Sequence, residues 1–264
     1  MSNILEQIIK DKKESLIFVK RQNSLEMIAK KIKEQNCFLN FKQTIEENQN
    51  VSLIAEIKKA SPSAGILIKD FNHLDIAKTY IDNGATCLSV LTEEKYFLGK
   101  LDFISDIKKK YQIPILAKDF FIDPYQVSLS KSYGCDCILI IIAALSEKQA
   151  DEIYAEAVKE GLSVIVEVHS GAEAAQALKY EQAIIGINNR NLKTLEVSIE
   201  NTLEIYKTVQ YHQGPLIAES GIKNAEDSQY IYNKTGIKNF LIGESLLASS
   251  ETRKLIKEIL SISL

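Results

Sequence analysis

The sequence has no apolar run long enough to cross a bilayer. The longest, Cys137 to Leu145, falls far short of the roughly 20 residues that a spanning helix needs. The opening MSNILEQIIKDKKESL scatters charges through its apolar positions and so lacks the apolar core of a signal peptide. Both features predict a cytoplasmic protein with no membrane partner. A basic block is missing too: 32 basic and 35 acidic side chains are mixed along the chain, for a net charge of -3, which argues against nucleic acid as a partner. The four cysteines, Cys37, Cys87, Cys135 and Cys137, form no C-x-x-C pair and have no histidine at zinc-ligand spacing. They are expected as small buried thiols, with no disulfide and no metal. The three histidines suit neither a metal nor a triad: His73 begins a helix, His212 lies in a loop, and His169 ends a strand near Glu167. There is no G-x-S-x-G elbow for a nucleophilic serine and no G-x-G-x-x-G turn for a dinucleotide.

What is present is an alternation. Residues 1–48 read as helices, with Ile4, Leu5, Ile8 and Ile9, then Leu25, Ile28, Ala29 and Ile32, at helical spacing. From residue 49 to 264 short aliphatic runs alternate with longer amphipathic segments, as in parallel βα units. The strand candidates span 51–57, 86–91, 113–117, 137–142, 163–168, 183–187, 215–219 and 239–243. Most are apolar on both faces, as buried parallel strands must be. Eight repeats within 264 residues predict one α/β domain, a (β/α)8 TIM barrel with an N-terminal helical extension, since such barrels use roughly 250 residues. An open doubly wound sheet is the alternative. Asp123 is expected to cap a helix that begins at Pro124-Tyr125-Gln126.

Charges and amides recur where these strands end, the place where barrel enzymes build their active sites. Glu56 and Lys58 lie two apart and project to one side. Lys118 ends the third strand, Glu167 sits within the fifth, Asn188 and Arg190 follow the sixth, and Glu219 and Ser220 end the seventh. Each alone would suit a structural ion pair. Together a barrel brings them to one mouth, and converging titratable groups in a partly buried site are how acids and bases are tuned. The last two strands end in ESGI (219–222) and IGES (242–245). Gly221 and Gly243 there either permit tight turns or expose backbone N–H groups to a phosphate.

The segments IAEIKKASPSAG (54–65), LTEEKYFLG (91–99), PILAKDFFIDPYQ (114–126), VEVH (166–169), IGINNRNLKT (185–194), AESGI (218–222) and LIGESLL (241–247) resemble those of indole-3-glycerol phosphate synthases. The resemblance covers residues 50 to 250 in order. It implies conversion of 1-(2-carboxyphenylamino)-1-deoxyribulose 5-phosphate into indole-3-glycerol phosphate, with loss of carbon dioxide and water, in tryptophan biosynthesis and without cofactor or metal. Lys118 is then the general acid of ring closure, Glu167 the base of dehydration, and Lys58 a second acid facing the substrate carboxylate. Glu56, Asn188, Glu219 and Arg190 orient these groups and the substrate hydroxyls. Ser61, with the backbone at Ser220, Gly221, Gly243 and Glu244, holds the phosphate. Phe97, Phe120 and Leu192 either pack around the anthranilate ring or serve the core. Burial lowers a lysine pKa and adjacent carboxylates raise it; which wins at Lys118 is left open by the sequence.

Ala64, Lys100 and Ser198 depart from the family's pattern at positions that are often basic, serine and aspartate, which bears on loop contacts and capping rather than on the chemistry. The helical extension is expected to help close the site. With no fused second domain, the chain reads as a monofunctional monomer able to associate with other tryptophan-pathway enzymes. Two rivals remain: a phosphoribosylanthranilate isomerase, whose cysteine and aspartate are replaced here by Glu56, Lys58 and Lys118, and a non-catalytic binding barrel.

Overall fold

The computed structural model describes residues 4–35, 38–192 and 194–264. Eight strands, β1 (Ser52–Ile57), β2 (Cys87–Leu91), β3 (Ile115–Lys118), β4 (Cys137–Ile141), β5 (Ser163–Val168), β6 (Ile184–Asn188), β7 (Leu216–Glu219) and β8 (Asn239–Ile242), lie parallel, each beside the next. Pairing of Ser52 with Asn239 through Ala55 with Ile242 joins β1 to β8 and closes the ring. The chain is therefore a (β/α)8 barrel and not an open sheet. A helix follows each strand, from His73–Asp82 after β1 to Glu244–Ala248 and Thr252–Leu260 after β8. Apolar strand residues such as Leu53, Ile54, Ile115 and Leu116 are fully buried between the barrel interior and this helical ring.

Strand limits differ from the sequence reading by a residue or two, for local reasons. β3 and β7 begin after Pro114 and Pro215, which lack an N–H and contribute only carbonyls, to Leu88 and Ile185 at 2.9 and 3.0 Å. After β1 the chain makes a small hairpin, Ala60–Ser61 against Gly65–Ile66, that the strand pattern does not predict. The helix expected at Asp123 starts at Tyr125. Pro124 already has helical angles, and Asp123 Oδ1 accepts the Tyr125 N–H at 3.0 Å.

The N-terminal helices α1 (Ile4–Gln22), α2 (Leu25–Glu34) and α3 (Phe41–Glu47) run from one end of the barrel to the other. α1 lies on the rim at the carboxyl ends of the strands, where Lys12 pairs with Asp119, Asp11 with Lys95, and Lys20 with Asp123, each at 2.6 Å. α2 packs along the helix Tyr125–Ser132. α3 sits at the opposite end, where Leu39 N–H donates to Asp136 Oδ1 at 2.7 Å and Lys42 N–H to Ser163 Oγ at 3.1 Å. Phe41 and Ile45 are buried there within the main core.

Among the described residues no helix is long and apolar enough to cross a membrane. Cys87, Cys135 and Cys137 are buried thiols whose pKa values burial pushes up; Cys37 lies outside the described residues.

Candidate active site

Parallel strands in one barrel point their carboxyl ends the same way, so residues far apart in sequence meet at one mouth. Lys118 at the end of β3 donates from Nζ to Glu167 Oε2 on β5 at 2.7 Å and to Glu219 Oε2 on β7 at 2.6 Å. Lys58, just beyond β1, donates to Glu56 Oε1 at 2.7 Å. Two glycines make room for these carboxylates. Gly186 pairs with Glu167 across the sheet, and a Cβ on it would collide with Glu219 Oε1. A Cβ on Gly243 would meet Glu56 Oε1 in the same way.

Asn188 ends β6, and its Oδ1 accepts the Arg190 N–H at 2.9 Å. Arg190 turns towards β8, where its guanidinium lies 3.2 Å from Glu244. Ser220 and Gly221 both have left-handed backbones, φ 67° and 78°. Such a conformation at a serine costs energy and persists only where neighbours enforce it; here Asn189 Nδ2 donates to Ser220 O at 3.1 Å.

A cavity of about 700 Å³ opens between these groups. All the site residues named from sequence line it except Ser61. Ser61 faces a neighbouring space of about 120 Å³ beneath Leu5 and Ile8 of α1, which shares Lys58, Phe97 and Arg190 with the main cavity. Its hydroxyl accepts the Ala64 N–H at 3.2 Å.

Burial opposes charge on Lys118, but the carboxylates of Glu167, Glu219 and Glu56 outweigh it and raise its pKa, so the ammonium persists. The two glutamates that share it diverge. Burial works against the charge on Glu167, yet Lys118 and His169 hold its pKa below the usual carboxylate range. Burial and the neighbouring Glu167 raise Glu219 to about 7 despite Lys118. His169 Nε2 lies 3.1 Å from Glu167 Oε1 and Nδ1 3.3 Å from Glu173 Oε2. Burial disfavours its charge, but the two carboxylates prevail and lift it to about 9.

Sequence reasoning missed several residues of the site. Asp119, within the PILAKDFFIDPYQ segment but given no role there, is tied to Lys12 of α1 and faces the main cavity, as do Lys223 and Lys254, which no motif marks. Glu173 had a signal. Ser170-Gly-Ala-Glu173 is a capping-box pattern at the start of a helix, and Glu173 Oε2 accepts the His169 N–H at 2.8 Å.

The chain matches the family described as indole-3-glycerol phosphate synthase over residues 5–259. It is 37% identical to the indole-3-glycerol phosphate synthase of Lachnoclostridium phytofermentans, covering 98% of this chain and 99% of that one. It is 40% identical to that of Azospirillum brasilense, over 97% and 100%. Among solved structures, 3-hexulose-6-phosphate synthase from Salmonella typhimurium superposes with a TM-score of 0.64 at 14% identity, covering 79% of this chain and 96% of that one. Tryptophan synthase subunit alpha from Legionella pneumophila gives 0.59 at 13%, over 88% and 96%. Those structures share the fold, whereas the full-length relatives define the family: this chain belongs to the indole-3-glycerol phosphate synthases.

Proposed function

We propose that this chain is a carboxy-lyase that closes the indole ring, converting 1-(2-carboxyphenylamino)-1-deoxyribulose 5-phosphate into indole-3-glycerol phosphate, carbon dioxide and water in tryptophan biosynthesis. The observation that carries this reading is a charged lysine held between two glutamates of unequal basicity at the mouth of a barrel cavity of about 700 Å³. That volume suits a substrate with one aromatic ring and a pentulose phosphate, since small-molecule pockets run to roughly 300–1,000 Å³.

The ring carbon that bears the carboxylate attacks the ribulose C2 carbonyl, and Lys118 gives a proton to the oxygen as it becomes a hydroxyl. A raised pKa keeps that proton in place until a strongly basic alkoxide develops. Carbon dioxide then leaves and returns its electron pair to the ring. Lys58 faces the departing carboxylate, and its bond to Glu56 fixes its direction. In dehydration Lys58, as the second acid, gives a proton to the hydroxyl, which leaves as water, while Glu167 takes a proton from the adjacent ring position, whose electron pair forms the pyrrole double bond. Glu219, Asn188 and Arg190 orient these groups and the sugar hydroxyls. The backbone at Ser220, Gly221, Gly243 and Glu244 grips the phosphate, with Ser61 contributing from the hairpin side. Phe97, Phe120 and Leu192 pack against the aromatic ring. The same reading takes the protein as a cytoplasmic monomer able to associate with other enzymes of the pathway.

Incubation of purified protein with the carboxyphenylamino substrate should yield indole fluorescence. Lys118→Ala should cut kcat by about 10²–10⁴, the range for a lost general acid, while inorganic phosphate still binds. No product from wild-type protein at high concentration would overturn the reading, and unchanged turnover in Lys118→Ala would overturn the assigned acid.

A further inference from the structure

Lys118 Nζ sits at 2.7 Å from Glu167 and 2.6 Å from Glu219, so the lysine alone does not distinguish the two carboxylates. Both are buried. The asymmetry comes from the other flank. His169 Nε2 is 3.1 Å from Glu167 Oε1, a charge-to-charge contact rather than an aligned hydrogen bond, whereas among the described residues no second cation lies within ion-pair distance of Glu219. Glu219 Oε1 is buried without a hydrogen-bond partner, an arrangement that suits a protonated carboxyl better than a charged one. His169 is itself clamped. Its backbone N–H donates to Glu173 Oε2 at 2.8 Å, its Nδ1 is 3.3 Å from the same oxygen, its carbonyl accepts from Asn201 Nδ2 at 3.4 Å, and its side chain is 7% exposed. His169 is not among the residues that line the cavity, whereas Glu167 and Glu219 are.

We propose that His169, locked between Glu167 and Glu173, is a positioning residue that makes Glu167 the ionised member of the Glu167–Glu219 pair and so assigns it the base role. Pairs of titratable groups whose surroundings push them apart divide acid and base work between them. Glu173 neutralises the far side of the imidazolium and keeps it charged beside Glu167. The elevated His169 pKa, to about 9, agrees with this geometry, as does the upward shift of Glu219 to about 7. The groups facing Glu167 are Lys118 from β3, Glu219 from β7 and His169. Those facing His169 are Glu167 and Glu173.

The inference rests on the ring-closing reading for its kinetic consequence, so two measurements are needed. In the first, kcat is followed against pH for wild type, His169→Asn, His169→Gln and Glu173→Gln. Losing a cation at this distance should raise the Glu167 pKa, and the acid limb should move to higher pH by about one unit or more in both His169 variants. His169→Gln keeps a donor and should recover part of kcat at high pH without restoring the limb. Glu173→Gln should shift the limb the same way by less. It also decides the matter if the His169 variants fail to fold. In the second, the ¹³C carboxyl signal of Glu167, assigned by difference against Glu167→Gln, is titrated in wild type and His169→Gln without substrate. Its midpoint should rise in the variant whether or not the protein turns over. Unmoved acid limbs, a uniform loss of kcat at every pH, or an unmoved Glu167 midpoint would each overturn the proposal. Absence of product in wild type alongside a shifted Glu167 midpoint would remove the synthase reading and leave the His169 assignment standing.

Discussion

Gly186 leaves room for the Glu219 carboxylate beside Lys118. It stands opposite Glu167 in the sheet, and the space its missing side chain leaves is where Glu219 Oε1 lies, with Ile165 pressed against the same spot. Gly186→Ala should drive Glu219 away from Lys118 and loosen the lysine. We expect kcat to fall by about 10², the cost of misplacing a catalytic group by about 1 Å, with a stability loss of about 1–3 kcal/mol from overpacking. Turnover and thermal melting separate the two effects, and unchanged turnover would refute this role. The sequence showed Lys118, Glu167 and Glu219 as charges in apolar strands, which was enough to select them. It did not show the sign of the lysine shift, because that depends on glutamates 49 and 101 residues away. Nor did it show that Ser61 faces the smaller cavity, since that follows from where the hairpin folds.

Elements were legible where their pattern was long. All eight strands appeared as aliphatic runs with limits off by a residue or two, the starts of β3 and β7 because of their prolines, and the two-residue strands of the hairpin were missed because SPSAG carries no periodic signal. Connections between elements were less legible, and Asp136 is the clearest case. It precedes β4, where its carboxylate accepts the N–H of Leu39 and of Ile115 at 2.7 and 2.8 Å and pairs with Lys108 at 2.6 Å. One side chain thus joins the approach to α3, the start of β3 and the helix Asp102–Lys108. Asp136→Ala breaks the Lys108–Asp136 pair, at a site 5% exposed or less. Breaking a buried pair in this way costs about 3–5 kcal/mol. The urea midpoint should fall accordingly with the slope m unchanged; a shift well under 1 kcal/mol would show that the three elements hold without it.

At the scale of the whole molecule we propose residues 1–48 as an extension packed on a catalytic barrel of 49–264, its parts serving opposite ends. α1 at the mouth contributes Leu5 and Ile8 to the smaller cavity and Lys12 to Asp119, the residue after Lys118. α3 at the floor buries Phe41 and Ile45 in the core and anchors Asp136 through the Leu39 N–H. Two truncations should therefore behave differently. Removing residues 1–22 strips the rim but leaves the floor intact. That protein should still unfold cooperatively, with a raised KM because the wall beside Ser61 and Phe97 is gone. Removing residues 1–48 takes two fully buried side chains from the core, each worth about 2–5 kcal/mol. Summed with the lost anchor at Asp136, this is comparable to the roughly 5–15 kcal/mol by which a domain is stable. The shorter protein should lose its cooperative melt, read by calorimetry and near-ultraviolet circular dichroism. If it instead melts like the full chain, α3 is an appendage and the barrel floor is closed by its own strands; if the 1–22 deletion alone abolishes folding, α1 belongs to the core rather than to the mouth.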